Sequence, residues 1–131
     1  MAARKTVDLV AARAAVVAVA DWARGGEPPE PSRAELAAAV RMSARTLAQI
    51  APGSSVEVRV PPFAAVQLGV GERGRHTRGT PPNVVQTDPV TFLRLAGGSL
   101  AWQEARAAHA VRASGIHSDL AEVFPLPDAT A

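Results

Sequence analysis

The stretch SSVEVRVPPFAAVQLGV, Ser54 to Val70, decides the fold class. Val56, Val58 and Val60 fall on one side of an extended chain and Glu57 and Arg59 on the other, the two-residue period of a strand with one buried and one wet face. Pro61-Pro62 interrupts the pattern, because proline offers no N–H to a sheet ladder. Alternation then resumes through Ala64, Val66, Leu68 and Val70. The pair reads as a meander in which Pro-Pro makes a corner and not a tight hairpin turn.

On either side the period lengthens to that of a helix. Upstream, Ser32 with Glu35 three residues on is a capping-box signature, and Leu36, Val40, Ala44, Leu47 and Ala51 follow at helical spacing until Pro52-Gly53. Before it, GGEPPEP, Gly25 to Pro31, reads as a linker. Before that, Lys5 to Arg24 predicts a helix with Thr6, Arg13 and Arg24 on a narrow polar stripe. Val7, Leu9, Val16, Val19 and Trp22 spread over a wide apolar arc that calls for a partner surface. Downstream, a short third strand is expected over Arg75 to Arg78 and a fourth over Val84 to Thr87. Asp88-Pro89 starts a helix holding Val90, Phe92, Leu93 and Leu95, which Gly97-Gly98 closes. Ser99 is expected to cap a further helix through Leu100, Trp102 and Ala105, followed by a strand over Ala110 to Ser114 and a short helix over Asp119 to Phe124.

The 131 residues are a single-domain length, with 47% hydrophobic and 20% charged residues, an ordinary globular balance. Net charge is only +2, aromatics are 4% and tyrosine is absent, so the basic stripe with stacking rings typical of a nucleic-acid binder is missing. There is no cysteine, which excludes disulfides, thiolate metal sites and thiol nucleophiles and suits a reducing cytoplasm. Arg4 and Lys5 precede an apolar run that ends in a cleavage-like AVA at Ala18 to Ala20. Asp8 and Arg13 interrupt it, and an internal amphipathic helix is the better reading than an export signal or a membrane span.

Enzymatic chemistry finds little support. His76, His109 and His117 stand apart, without the spacing of a metal motif. No G-x-S-x-G occurs, and Gly98-Ser99-Leu100 reads as a helix cap. Gly69, Gly71 and Gly74 do not form G-x-G-x-x-G ahead of a helix. His109 is expected at a helix end beside terminal carbonyls. No catalytic residue, metal or cofactor is expected.

The run TDPVTFLRLAGGSLAWQEARAAHAVRASGIHSDLAEVFPL, Thr87 to Leu126, resembles the C-terminal half of sterol carrier protein domains. The resemblance is carried by Asp88, Pro89, Thr91, Phe92, Leu95, Gly97, Gly115, Asp119, Leu120, Pro125 and Leu126. With VEVRVPPFAAVQ and RHTRGTPPN it is similar to the small bacterial branch of sterol carrier family proteins, over roughly Ala34 to Leu126. That resemblance implies an α+β fold: a twisted, mostly antiparallel sheet of about five strands, covered on one side by helices, with an apolar cavity between the layers. Family members hold sterols, fatty acyl chains or phospholipids there without chemistry. The residues that would line such a space are Val58, Phe63, Val66, Leu68, Phe92, Leu95, Leu100, Trp102 and Phe124. A filled core would have the same pattern.

The expected organisation is an N-terminal amphipathic helix over 1–25, a linker over 26–31, the sterol-carrier-like domain over 32–126 and a disordered tail over 127–131. The expected partner is a hydrophobic small molecule or lipid. Nucleic acid is not expected, membrane contact is at most transient, and a homodimer through the first helix is one option. Around GRHTRGTPPN, Gly74 to Asn83, two readings stand side by side. Arg75, His76 and Arg78 can form an anion nest for a phosphate or carboxylate headgroup, or the arginines can pair with Glu57, Glu72 or Asp88 and fix the bend. The alternative to a carrier is an interaction or accessory module related to the C-terminal domain of mycothiol-dependent isomerases, using the first helix for a protein or the arginine loop for a small anionic thiol.

Overall fold

The computed structural model describes residues 9–26, 28–70, 83–115 and 118–126, and these carry four helices and four strands. Helix α1 spans Leu9–Gly25 and α2 spans Arg33–Ile50; strands β1 (Val56–Val60), β2 (Ala64–Leu68) and β3 (Val84–Thr87) follow, then α3 (Pro89–Gly97), α4 (Trp102–Ala107) and β4 (Val111–Ser114). The strand predicted over Arg75 to Arg78 lies outside the described residues.

The sheet has the order β2-β1-β3-β4. β1 and β2 pair antiparallel, as do β3 and β4, while β1 and β3 run parallel, so the sheet is mixed but mostly antiparallel. Its register assembles the apolar face. Val58 stands opposite Val66 on one side and Val85 on the other, and Val85 in turn stands opposite Ala113. Opposed residues share a face, so Val56, Val58, Val60, Leu68, Val85 and Val111 are buried together while Arg59, Ala65, Gln67 and Arg112 are exposed. The α2 helix packs on β2, α3 packs on α2, and α1 lies on α2 and α3.

The caps follow from the sequence. At α2 the capping box is complete: Ser32 Oγ accepts from the Glu35 N–H at 3.1 Å and Glu35 Oε1 from the Ser32 N–H at 2.8 Å. Asp88 caps α3, accepting from the Thr91 N–H at 3.0 Å and the Thr91 hydroxyl at 2.7 Å. Gly98, at φ 87°, ends α3 in the left-handed conformation, as glycine does at little steric cost.

Three expectations need correction. Ser99 does not cap α4. Its N–H and that of Leu100 both donate to the Arg94 carbonyl, so Ser99 belongs to the stop of α3; α4 begins from Ala101, whose N–H donates to Glu104 Oε1 at 3.1 Å. Residues 119–124 form turns and not a helix. Asp119 Oδ1 accepts from the Ala121 N–H and the Val123 N–H donates to Leu120, and Pro125 pushes the residue before it away from the helical region. Pro61-Pro62 lies in a tight three-residue hairpin and not a corner: Val60 pairs directly with Ala64, and the Phe63 N–H donates to the Val60 carbonyl at 2.9 Å. The linkage within Pro61-Pro62 is cis, the form that suits a turn with proline at its third position.

The first helix buries a narrower face than its composition suggests. Ala12, Val16, Val19 and Ala23 are buried at i, i+4, i+7 and i+11, and Trp22 is half-buried. Val10 and Val17 remain 79% and 59% exposed.

Candidate functional site

In the core that holds the apolar face of the sheet lies a group of aromatic rings. Phe92, from the buried side of α3, meets Phe124 edge-on, with centroids 6.0 Å apart and planes at 81°. Phe124 in turn stacks on Trp102, the first residue of α4, at 6.2 Å and 20°. Both arrangements suit the quadrupole of the rings. Phe124 reaches this place because the segment 118–126 docks across α3, with the Leu126 N–H donating to the Ala96 carbonyl at 3.0 Å. Phe92 is fully buried, Trp102 is 4% exposed and Phe124 is half-buried, so the group runs from the interior to the surface.

The other predicted lining residues divide. Val58, Leu68 and Leu95 are buried in the same core as Phe92 and Trp102, while Val66, Leu100 and Phe63 are half-buried against it. Phe63 is engaged elsewhere: the Arg33 guanidinium lies 5.1 Å over its ring, and Arg41 Nε donates to its carbonyl at 3.1 Å. That cation–π contact holds the β1–β2 hairpin to α2. A separate crevice between α1 and α3, lined by Val16, Ala20, Ala23, Arg24, Leu93, Gly97 and Ser99, has a volume of about 20 Å³. That is room for a water and far below the several hundred Å³ of a ligand pocket.

Arg75, His76 and Arg78 lie outside the described residues, yet both feet of their segment are in view. Ser55 joins them. Its Oγ accepts from the Val70 N–H at 3.0 Å and donates to the Val70 carbonyl at 3.1 Å, and its own carbonyl accepts from Asn83 Nδ2 at 2.7 Å. The Glu57 N–H donates to the Asn83 carbonyl at 3.0 Å. Ser55 and Asn83 are buried, so these bonds are sheltered from competing water. Sequence reasoning missed this clamp; a lone serine and a lone asparagine carry no local signal of meeting across the fold. Of the three carboxylates weighed as partners for the arginines, Glu57 pairs with Arg59 at 2.6 Å and Asp88 caps α3; Glu72 is outside the described residues.

His109 is exposed, follows the end of α4 and has φ 58°; its backbone N–H donates to the Arg106 carbonyl at 3.1 Å. His117 is outside the described residues. Among the described residues no three His, Asp or Glu side chains gather as a metal site, and no helix is long and apolar enough to cross a membrane.

Among the described residues two buried nitrogen donors stand out because nothing there accepts from them: Arg94 Nε and Trp102 Nε1. Arg94 follows Phe92 by two residues, about 200° around the helix, so it leaves α3 on a different side from the ring cluster. Trp102 belongs to the cluster itself.

Fold and site together define an α+β domain whose mixed sheet is covered by helices, with aromatic rings leading from its core to the surface. Residues 32–126 match the family model described as a bacterial SCP ortholog, SCP denoting sterol carrier protein. The chain belongs to this family, and α1 lies outside the matched region. No curated protein is similar enough to count as a relative.

Proposed function

We propose that the chain is a non-catalytic, cytoplasmic carrier of a hydrophobic small molecule, a fatty acyl chain, phospholipid or sterol-like lipid, held between the sheet and the helices. The observation that carries the reading is the ring group Phe92, Phe124 and Trp102, in which the half-buried Phe124 covers two buried rings. A half-buried ring over buried ones is a point at which an apolar guest can enter between the layers, and apolar and aromatic side chains are the usual lining of such sites. Membership of the sterol carrier protein family supports the same reading. The guest displaces or parts the rings around Phe124 and lies along Val58, Val66 and Leu68. An anionic headgroup, where the guest has one, meets Arg75, His76 and Arg78, whose segment starts and ends at the Ser55 clamp.

Native mass spectrometry of freshly purified protein, before and after organic extraction, tests the proposal. A mass excess that extraction removes, or micromolar binding of a fluorescent acyl probe by the extracted protein, is expected. A protein that carries nothing and binds no member of a panel of acyl chains, sterols and phospholipids overturns it.

A further inference from the structure

The indole N–H of Trp102 is withdrawn from solvent beside an aromatic ring and has no acceptor among the described residues. An unmet donor in such a place costs far more than a neutral hydrogen bond returns, and more than nine in ten buried polar groups in native proteins find a partner. Replacing tryptophan by phenylalanine would keep a ring and discard the cost, so the donor marks an acceptor that the described residues do not supply. The surround decides what kind of acceptor. Phe124, stacked on the indole, and Phe92, against Phe124, bring no charge, and a carboxylate or phosphate placed there with one donor would bear a large desolvation penalty. A neutral oxygen would not.

We propose that Trp102 Nε1 donates to a neutral oxygen of the bound guest, a hydroxyl or an ester carbonyl, and so fixes how deep the guest sits. The inference rests on the carrier reading and narrows it: the guest is a neutral alcohol or ester, or an acyl ester whose charged group lies elsewhere, rather than a hydrocarbon or a free fatty acid buried carboxylate-first.

The test uses the full chain, the indole ¹H–¹⁵N resonances of its two tryptophans and three probes of equal chain length: 1-dodecanol, methyl laurate and dodecane. Trp22, on α1 and outside the ring cluster, is the internal reference. The Trp102 indole proton is expected to move downfield with the alcohol and the ester and to stay in place with dodecane, while Trp22 is unmoved by all three. Trp102→Phe is expected to weaken the alcohol and the ester about tenfold, the scale of one buried hydrogen bond, and dodecane by less than twofold. The spectra of the unmodified protein stand as evidence even where the variant folds poorly. If the alcohol binds and the Trp102 proton does not respond, the anchor is wrong and the carrier reading survives. If none of the probes binds, both fall together.

Discussion

Phe124 is the residue at which stability and access can be separated. Phe92 is fully buried, and truncating such a ring costs about 3–5 kcal/mol, a large share of the stability of a small domain. Phe124 is half-buried, so Phe124→Ala should cost only about 1–2 kcal/mol and leave the far-ultraviolet spectrum intact. The Trp102 emission should shift to the red, and acyl-probe affinity should change. Urea melts and fluorescence in a Trp22→Phe background measure each part. Gly69 makes a different point. A Cβ there would run into the Pro52 carbonyl oxygen and come within 3.0 Å of the Gly53 Cα, while Gly53 itself has φ 148°. Both neighbours are backbone and have nowhere to retreat, so Gly69→Ala should destabilise by about 2 kcal/mol or more, visible as a lower melting temperature. The caps at Ser32 and Asp88 were legible because donor and acceptor sit three residues apart. The constraints on Gly69, Ser55 and Asn83 come from chain that is distant in sequence and close in space, and no local pattern announces them.

At the scale of elements, alternation identified β1 and β2, and the changes of period placed every helix of the described fold. Of the misplaced features, the Ser99 cap failed because a neighbouring element had a competing claim on the backbone. Ser99 reads as a cap, but the left-handed Gly98 draws the Ser99 N–H back to Arg94. This leaves α4 with half a capping box: Glu104 reaches the Ala101 N–H, and Ala101 has no side-chain oxygen to reciprocate. Ala101 is exposed and already extended, at φ −78° and ψ 148°, so Ala101→Ser should stabilise the protein by about 0.5–1 kcal/mol. Removing the intact cap by Asp88→Ala should cost about 1 kcal/mol. Chemical denaturation of the two variants side by side would show shifts of opposite sign.

For the whole molecule, one core crosses the boundary of the family match. Val16, Val19 and Ala23 of α1 are buried in the same cluster as Leu47, Val58 and Phe92. The wide apolar arc predicted a partner surface, and α2 with α3 supplies it for one side. A chain lacking residues 1–24 should therefore melt well below the full chain, and an unchanged melting curve would show that the helix contributes nothing. Which of the rings expected around a cavity touch one another was not legible, since it depends on where the segment 118–126 docks, and Phe63 lies under Arg33. The Ser55 clamp has an engineering consequence. Because Val70 and Asn83 are both tied to one buried serine, the chain between them leaves and re-enters at a fixed gap, and closure entropy rises by only about 0.6 kcal/mol for each doubling of length. Exchanging residues 71–82 for a Gly-Ser linker should leave the melting temperature within a few degrees and, on the carrier proposal, abolish any preference for anionic over neutral probes, an exchange the two tied ends make possible without redesigning the rest of the chain.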